Sequence, residues 1–321
     1  MSEKQETLQI ILDTAEKIFA DYCDKTLLDE AERGDFPHRL WQQVSQNGFD
    51  RLGAPNSGTD AQDMYALIKQ SGRFAVPLPL AETLLVNRWC DYGEGIFSIG
   101  VIEEGQIVDV PWGRVADKVL GVSQNSGLVA VVDSPQVVQQ STNLAGDPRD
   151  SVVLPADTPF IEVAPDPMTQ LAAARCNQMA GSAEAILALG LQFANERIQF
   201  GRPIAKFQAI QHSLAVVAAE VAAASRSADA AVDDLSSDRF LFEVAAAKSR
   251  VGEAVTIIAE QVHQVHGAMG FTHEHRLHHY SRRAWAWRDE YGNEFYWQGV
   301  LGAHLAGLGA DHAWQFIATR G

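Results

Sequence analysis

Apolar residues recur at every third or fourth position through the first ninety residues, which is typical of amphipathic helices. One helix face would carry Leu8, Ile11, Ala15, Ile18 and Phe19. A second helix would open at Pro37 and end near Gly48, and two more are predicted at 64–71 and 81–90. We therefore predict an N-terminal helical domain over residues 1–92.

Short apolar runs separated by glycine and proline replace this pattern between residues 93 and 166. The runs Ile96–Ile102 and Gln106–Val110 flank a Glu-Glu-Gly turn and predict a hairpin. Further short strands are predicted at 128–132, 152–154 and 161–163. About six strands in so short a stretch indicate a small β-domain over residues 93–166.

Longer, alanine-rich helical patterns follow from residue 167 onward. Helices are predicted around 183–194, at Ala215–Leu235, at Phe242–His266 and from about Glu294 to Ala306. Together they predict a four-helix bundle over residues 167–321. The fold class is mainly α with a small β-domain.

Charge and composition exclude several classes of protein. The chain has 25 Lys and Arg against 41 Asp and Glu, a net charge of −16, so binding nucleic acid through a broad basic face is not expected. No apolar run reaches the length of about 18 residues that a membrane span needs. The charged N-terminus does not resemble a signal peptide, and we expect a cytoplasmic protein.

The common nucleotide-binding and hydrolase signatures are missing from the sequence. There is no G-x-G-x-x-G after a strand, no P-loop and no G-x-S-x-G elbow. Rossmann dehydrogenases, P-loop ATPases and α/β-hydrolases are therefore disfavoured.

A cluster of histidines is the first candidate for chemistry, since closely spaced histidines can bind metal ions. It consists of His263, His266, His273, His275, His278 and His279. No pair spaced four apart falls on a predicted helix face, and no cysteine lies nearby. We therefore predict helix-end and hydrogen-bonding roles for these histidines, and no metal site.

Two other segments carry more specific signals. In the first, Arg197 closes a helix, Gly201 breaks it, and Phe207-Gln208 opens the next. This could be a simple inter-helix turn, or Arg197 could direct its guanidinium at a phosphate. In the second, Gln264 leaves the core face of its helix and Gly267 and Gly270 let the backbone approach a neighbour closely.

Taken together, Arg-x-x-Phe-Gly…Phe-Gln and, some 55 residues later, Gln-x-His-Gly-x-x-Gly-Phe resemble the C-terminal bundle of the acyl-CoA dehydrogenase family. Phe36-Pro37 and the run from Gly72 to Leu80 resemble, more faintly, the N-terminal helical domain of that family. The resemblance implies the family's FAD cofactor and CoA thioester substrate, in which a double bond is introduced between Cα and Cβ. An electron-transferring flavoprotein would then accept the electrons.

The resemblance also implies a cofactor-binding set, matched position by position. It consists of Arg197, Gln199, Phe207, Gln208, Gln264, Val265, His266, Gly267 and Ala268. In the family these contacts reach an FAD held mainly by a neighbouring subunit, so an oligomer is implied.

The catalytic base of the family is missing. The family's glutamate would fall at Tyr291 or, in another branch, at Leu171, and neither residue is a carboxylate. Glu290 is one residue away, and we assign no catalytic residue. A base must have a raised pKa to remove the weakly acidic α-proton of a thioester.

The β-domain is also shorter than the family's, and the chain resembles the short subunits of heteromeric dehydrogenases that break down steroid and bile-acid side chains. We therefore expect a longer acyl-CoA dehydrogenase subunit as the partner. Two alternatives stay open: a self-sufficient homo-oligomer that uses Glu290, and a non-catalytic relative that binds a partner or a CoA ester.

Overall fold

Helices form the N-terminal part of the computed structural model, which describes residues 3–124 and 126–319. They are α1 (Glu3–Tyr22), α2 (Lys25–Glu32), α3 (His38–Gln46), α4 (Ala61–Arg73) and α5 (Leu80–Cys90). Asp60 and Asp63 form a reciprocal capping box that fixes the start of α4. Helix α2, which sequence analysis missed, lies in a charged stretch, and Asp24 caps it through the amide of Leu27 at 2.8 Å.

The middle of the chain forms a mixed sheet. Its strands are β1 (Phe97–Glu103), β2 (Gln106–Pro111), β3 (Lys118–Val122), β4 (Leu128–Asp133), β5 (Val137–Thr142), β6 (Pro148–Val153) and β7 (Phe160–Glu162). Their order in the sheet is β5-β6-β2-β1-β3-β4-β7. The predicted hairpin is present, since β1 pairs antiparallel with β2 from Glu103↔Gln106 onward, whereas β1 and β3 pair in parallel.

The C-terminal part returns to helices. They are α6 (Pro167–Glu196), α7 (Gln208–Ala231), α8 (Phe240–His266), α9 (Leu277–Asp289), α10 (Glu294–Leu308) and α11 (Ala310–Ala318). The short strands β8 (Ile198–Gln199) and β9 (Arg202–Pro203) join α6 to α7. Sequence analysis took 277–289 only as part of a motif, because its histidines and arginines hide the apolar period; in the structure it is a separate helix.

Helices α4 and α6 cross at very short range, which locks the N-terminal helices onto the bundle. A Cβ on Gly181 would lie 1.9 Å from the carbonyl oxygen of Lys69, and one on Gly72 would lie 2.1 Å from that of Gln178. Only glycine permits such contact. A continuous apolar core then runs through all three parts, with Phe19, Ile99 and Ile258 fully buried in it.

The prediction of a mainly helical fold with a small β-domain is confirmed. Within the described residues, no helix has the length and apolarity needed to cross a bilayer.

Candidate cofactor site and the position of the expected base

The turn after α6 places the first predicted segment. Helix α6 ends at Glu196, and Arg197 takes an extended conformation as its C-cap. Phe200 and Gly201 both have positive φ, 51° and 77°, and form the tight turn of the β8–β9 hairpin. The chain then folds back, and the Ile204 amide donates to the Arg197 carbonyl at 2.9 Å before α7 starts at Gln208.

The end of α8 places the second segment. Gln264 is exposed on its outer face, whereas Val265 and His266 are buried. Gly267 ends the helix with a φ of 57°. Gly270 allows a close return, because a Cβ there would lie 2.9 Å from that of His266.

These two segments meet at a cavity of about 640 Å³. Every residue of the predicted cofactor-binding set lines it except Gln208, which is exposed at the first position of α7. Sequence analysis missed the remaining lining residues, which are Phe193, Phe200, Ile204, Ala209, Ile210 and Met269. All six are apolar, and only Phe200 belongs to one of the motifs, so the tertiary structure is needed to identify the others.

The cavity contains polar groups suited to an anion. Arg197 is exposed, and its guanidinium forms no ion pair within residues 3–124 and 126–319. Helix α7 starts beside it with no side-chain cap on its N-terminal amides. Free amides and the helix dipole favour negative charge at such an end, and an arginine fork favours phosphate.

Aromatic rings form the other wall. Phe193 stacks on His266 with ring centroids 4.3 Å apart, and Phe207 lies under the guanidinium of Arg202 at 4.4 Å. His266 Nδ1 is 2.8 Å from the carbonyl oxygen of Val262 and must donate to it, while burial lowers the pKa of the ring. The neutral ring therefore keeps its Nε2 as an acceptor, and this buried atom has no partner among the described residues.

A phosphate-attracting end, free amides and stacking surfaces fit the adenosine diphosphate portion of FAD. Arg197 and the start of α7 would hold the pyrophosphate, and the rings would border the adenine. When bound, FAD supplies the acceptor for a hydride.

Neither expected base position is chemically competent. Leu171 is fully buried, and Tyr291 is 8% exposed, with its hydroxyl donating to the Ile99 carbonyl at 3.4 Å. The guanidinium of Arg175 lies 5.1 Å from the Tyr291 ring centroid. Burial raises the pKa of this phenol, so it stays protonated.

Glu290, beside it, is fixed between two arginines. Its carboxylate lies 2.7 Å from Arg149 and 2.6 Å from Arg175. It also accepts from Asn143 at 3.1 Å. Burial alone would raise the pKa of Glu290, but the two arginines lower it to about 2. This is the opposite of the raised pKa that a base for a thioester α-proton needs.

The network extends inward from Glu290. Arg175, 2% exposed, also binds Glu82 at 2.5 Å and Gln178 at 2.6 Å. The partners of Glu290 in this network come from α5, β6 and α6, so no sequence motif predicts that they meet. We name the set of Glu82, Arg149, Arg175 and Glu290 the buried ion cluster.

Lys248 on α8 fixes the turn that carries Glu290. Its ammonium donates to the carbonyls of Trp287, Arg288 and Gly292 at 3.1, 2.6 and 2.8 Å. These are carbonyls that the end of α9 leaves free, and a cation there satisfies them. Lys248 therefore holds the turn through its backbone carbonyls, and the buried ion cluster holds it through the side chain of Glu290.

Apolar side chains are exposed on the two segments that line the cavity. Phe200, which lines it, is 91% exposed, Ile198 in the same hairpin is 65% exposed, and Phe271, which lines a second cavity, is 76% exposed. Large exposed apolar groups grouped in this way mark binding surfaces.

Comparisons with known proteins match the part of the chain that contains both segments. The sequence profile of the acyl-CoA dehydrogenase C-terminal domain matches residues 162–293. Acyl-CoA dehydrogenase IpdE2 of Mycobacterium tuberculosis is 26% identical over 305 residues, which cover 87% of this chain and 91% of the relative.

Two solved structures share the fold. A chain of the ChsE4-ChsE5 complex from Mycobacterium tuberculosis superposes with a TM-score of 0.82 at 19% identity, over 97% of this chain and 99% of that one. A chain of the steroid ACAD Tcur3481-Tcur3483 has a TM-score of 0.81 at 19% identity, over 95% and 99%. Residues 162–293 thus match the C-terminal domain of the acyl-CoA dehydrogenase family, and the chain is similar to an acyl-CoA dehydrogenase over most of its length.

Proposed function

We propose that this chain takes part in the FAD-dependent α,β-dehydrogenation of an acyl-CoA thioester as the short subunit that completes the FAD site of a hetero-oligomer. The observation that carries the proposal is a contrast within one chain. The cavity between Arg197 and His266 has free polar groups, whereas the expected base position holds Tyr291, and the neighbouring Glu290 is paired with two arginines. Such a chain can contribute to a cofactor site without removing a proton.

The exposed rim supports a partner subunit at this cavity. Phe200 stands at the tip of a hairpin in a strained left-handed conformation, and its ring meets Phe207 edge to face but stays 91% exposed. A longer subunit that covers Phe200 and Phe271 would bury their rings and enclose the phosphates of its own FAD. The neighbours in the ChsE4-ChsE5 complex and in Tcur3481-Tcur3483 are themselves paired chains by their names.

The remaining assignments are part of the same proposal. The acyl group would be a steroid side chain, as the description of Tcur3481-Tcur3483 suggests for that protein. An electron-transferring flavoprotein would accept the electrons, and the reaction would take place in the cytoplasm.

A self-sufficient enzyme is the less favoured alternative, because Glu290 would first have to leave two arginines. A visible absorption spectrum of the chain purified alone tests this. We expect no flavin, and we expect flavin to appear when a longer homologue is co-expressed and co-purifies. Stoichiometric flavin in the lone chain, bleached by an acyl-CoA, would refute the proposal in favour of the self-sufficient enzyme.

A matched pair of variants tests the position of the cofactor in the complex. Arg197→Ala removes the guanidinium at the cavity, and Arg39→Ala removes an exposed arginine on α3. We expect flavin loss from the complex with the first variant and wild-type flavin content with the second. Equal flavin content in the two complexes would contradict the assignment.

A further inference from the structure

Two histidines of α9 meet a carboxylate of α2 away from the cofactor cavity. Asp29, His278 and His279 bring one ligand atom each to within 4.8 Å of one another. We propose that these three side chains bind a Zn²⁺ ion that joins the N-terminal helices to the bundle. Sequence analysis predicted no metal site from the spacing of the histidines and the lack of a nearby cysteine, and it did not consider Asp29, which is some 250 residues away.

A hydrogen bond within its own turn determines which ring nitrogen of His278 is free. Its Nδ1 is 2.7 Å from the carbonyl oxygen of His275 and therefore carries the proton that it donates. The Nε2 is then an acceptor, and it is buried with no hydrogen-bond partner within the described residues.

His279 shows the arrangement that orients metal-binding histidines. The ring is fully buried, and its Nδ1 lies 2.6 Å from Glu32. A carboxylate on the far nitrogen of a ligating histidine fixes the tautomer and raises the basicity of the ligating nitrogen. The Nε2 thus points its lone pair away from Glu32.

That lone pair faces Asp29. His279 Nε2 and Asp29 Oδ1 are 3.3 Å apart, yet the Nε2 makes no hydrogen bond with any described residue. Two ligands at about 2.1 Å from a tetrahedral Zn²⁺ are separated by about 3.4 Å. An ion between these atoms would therefore satisfy both without moving the backbone.

The surrounding charges leave these ligand atoms available. Lys25 pairs with the other oxygen of Asp29, Oδ2, at 2.5 Å. Glu32 is balanced by Arg282 and Arg283, and Arg283 continues to Asp147. The carboxylates and cations of the surroundings thus offset one another, and the ion would add a net positive charge that Asp29 neutralises in part.

Two imidazoles and one carboxylate form an open ligand set, with the fourth position left to water. Because Asp29 is partly exposed, the ion can enter from solvent. The site would act as a clamp: with Zn²⁺ bound, α2 and α9 separate only if a metal–ligand bond breaks.

The test is a titration of the metal-free chain with Zn²⁺ by isothermal calorimetry, after dialysis against EDTA. The chain has 10 histidines, so variants must separate this site from surface binding. Asp29→Asn and His278→Gln remove one ligand each, and His212→Gln removes an exposed histidine on α7 as the matched control. An unfolding curve of each variant, recorded in EDTA, checks that the variant folds without metal.

We expect one Zn²⁺ per wild-type chain, with the affinity lowered at least about 10-fold in Asp29→Asn and His278→Gln and unchanged in His212→Gln. No binding by the wild type, or equal binding by all variants, overturns the site. If the ligand variants fail to fold, the absorption spectrum of the wild type with Co²⁺ is measured instead. An intense tetrahedral spectrum then supports the site, and a weak octahedral one or none refutes it.

Discussion

The cavity between Arg197 and His266 and the buried ion cluster both include residues of helix α6 or its end, yet their charged groups are arranged in opposite ways. At the cavity, Arg197 is exposed and unpaired among the described residues, and α7 presents uncapped amides. In the cluster, Arg175 is buried and its three donor nitrogens reach Glu82, Glu290 and Gln178. The comparison separates two kinds of charged group: one left free for a ligand, and one already satisfied by the fold.

The difference bears directly on Glu290. A carboxylate near an expected base position invites a catalytic assignment, because perturbed pKa values gather at functional sites. Here the pKa is perturbed downward by two arginines, which is what a structural ion pair produces. The direction of the shift therefore distinguishes the two roles where proximity does not.

The largest effect that would sharpen this comparison is expected from Glu290→Gln. Breaking a buried charge network at one partner leaves arginines uncompensated, which costs about 3–5 kcal/mol of stability. Urea unfolding of the lone chain measures it, with exposed Glu260→Gln as the control. A loss as small as that of the control would mean that the cluster is not structural.

Glu290 of this cluster and Glu32, which forms separate ion pairs with Arg282 and Arg283, predict how stability depends on pH. Glu290 and Glu32 both have a folded-state pKa of about 2, below the ordinary value of 4.5. The stability that they contribute is present above pH 4.5 and lost as the pH falls toward 2, by up to about 3 kcal/mol for each group. Between these pH values, the free energy of unfolding should fall more steeply with decreasing pH for the wild type than for Glu290→Gln. Parallel curves would argue against the ion pairs.

A smaller effect is expected at the open cavity. Arg197→Ala should weaken flavin retention by the complex by about 1.5–3 kcal/mol, the contribution of hydrogen bonds to charged groups. The stability of the lone chain should change by less than about 0.5 kcal/mol, since the guanidinium is exposed. Flavin release on dilution and urea unfolding measure the two quantities, and a large loss of stability would place Arg197 with the structural charges instead.

The smallest effect on the lone chain is expected from Phe200→Ser at the rim. Because the ring is 91% exposed, unfolding should shift by no more than about 0.5 kcal/mol. Association with the longer subunit should nevertheless weaken, which analytical ultracentrifugation of the pair would detect. Phe160→Ser, also exposed but on the sheet, is the control, and similar association of both variants would remove the rim from the interface.

Sequence analysis named most of the residues that line the cavity between Arg197 and His266, because they lie in two short segments whose conformation has local causes. Arg197 follows a helix end, Gly201 and Gly267 have positive φ, and Phe207 precedes a helix start. Such features depend on residues that are close together in the sequence. The placement of Gln264 on the exposed face and His266 on the buried face also followed from helical periodicity.

The sequence by itself thus determined the main helices, the hairpin, the resemblance to acyl-CoA dehydrogenases and the two segments that line the cavity. Only the tertiary structure decided what Glu290 and His279 contact. Arg149 and Arg175 reach Glu290 from β6 and α6, and Glu82 reaches Arg175 from α5. Asp29 and Glu32 reach His279 from α2. The physical reason is that periodicity and turn chemistry act between near neighbours, whereas the partner of a buried charge is chosen by how distant elements pack.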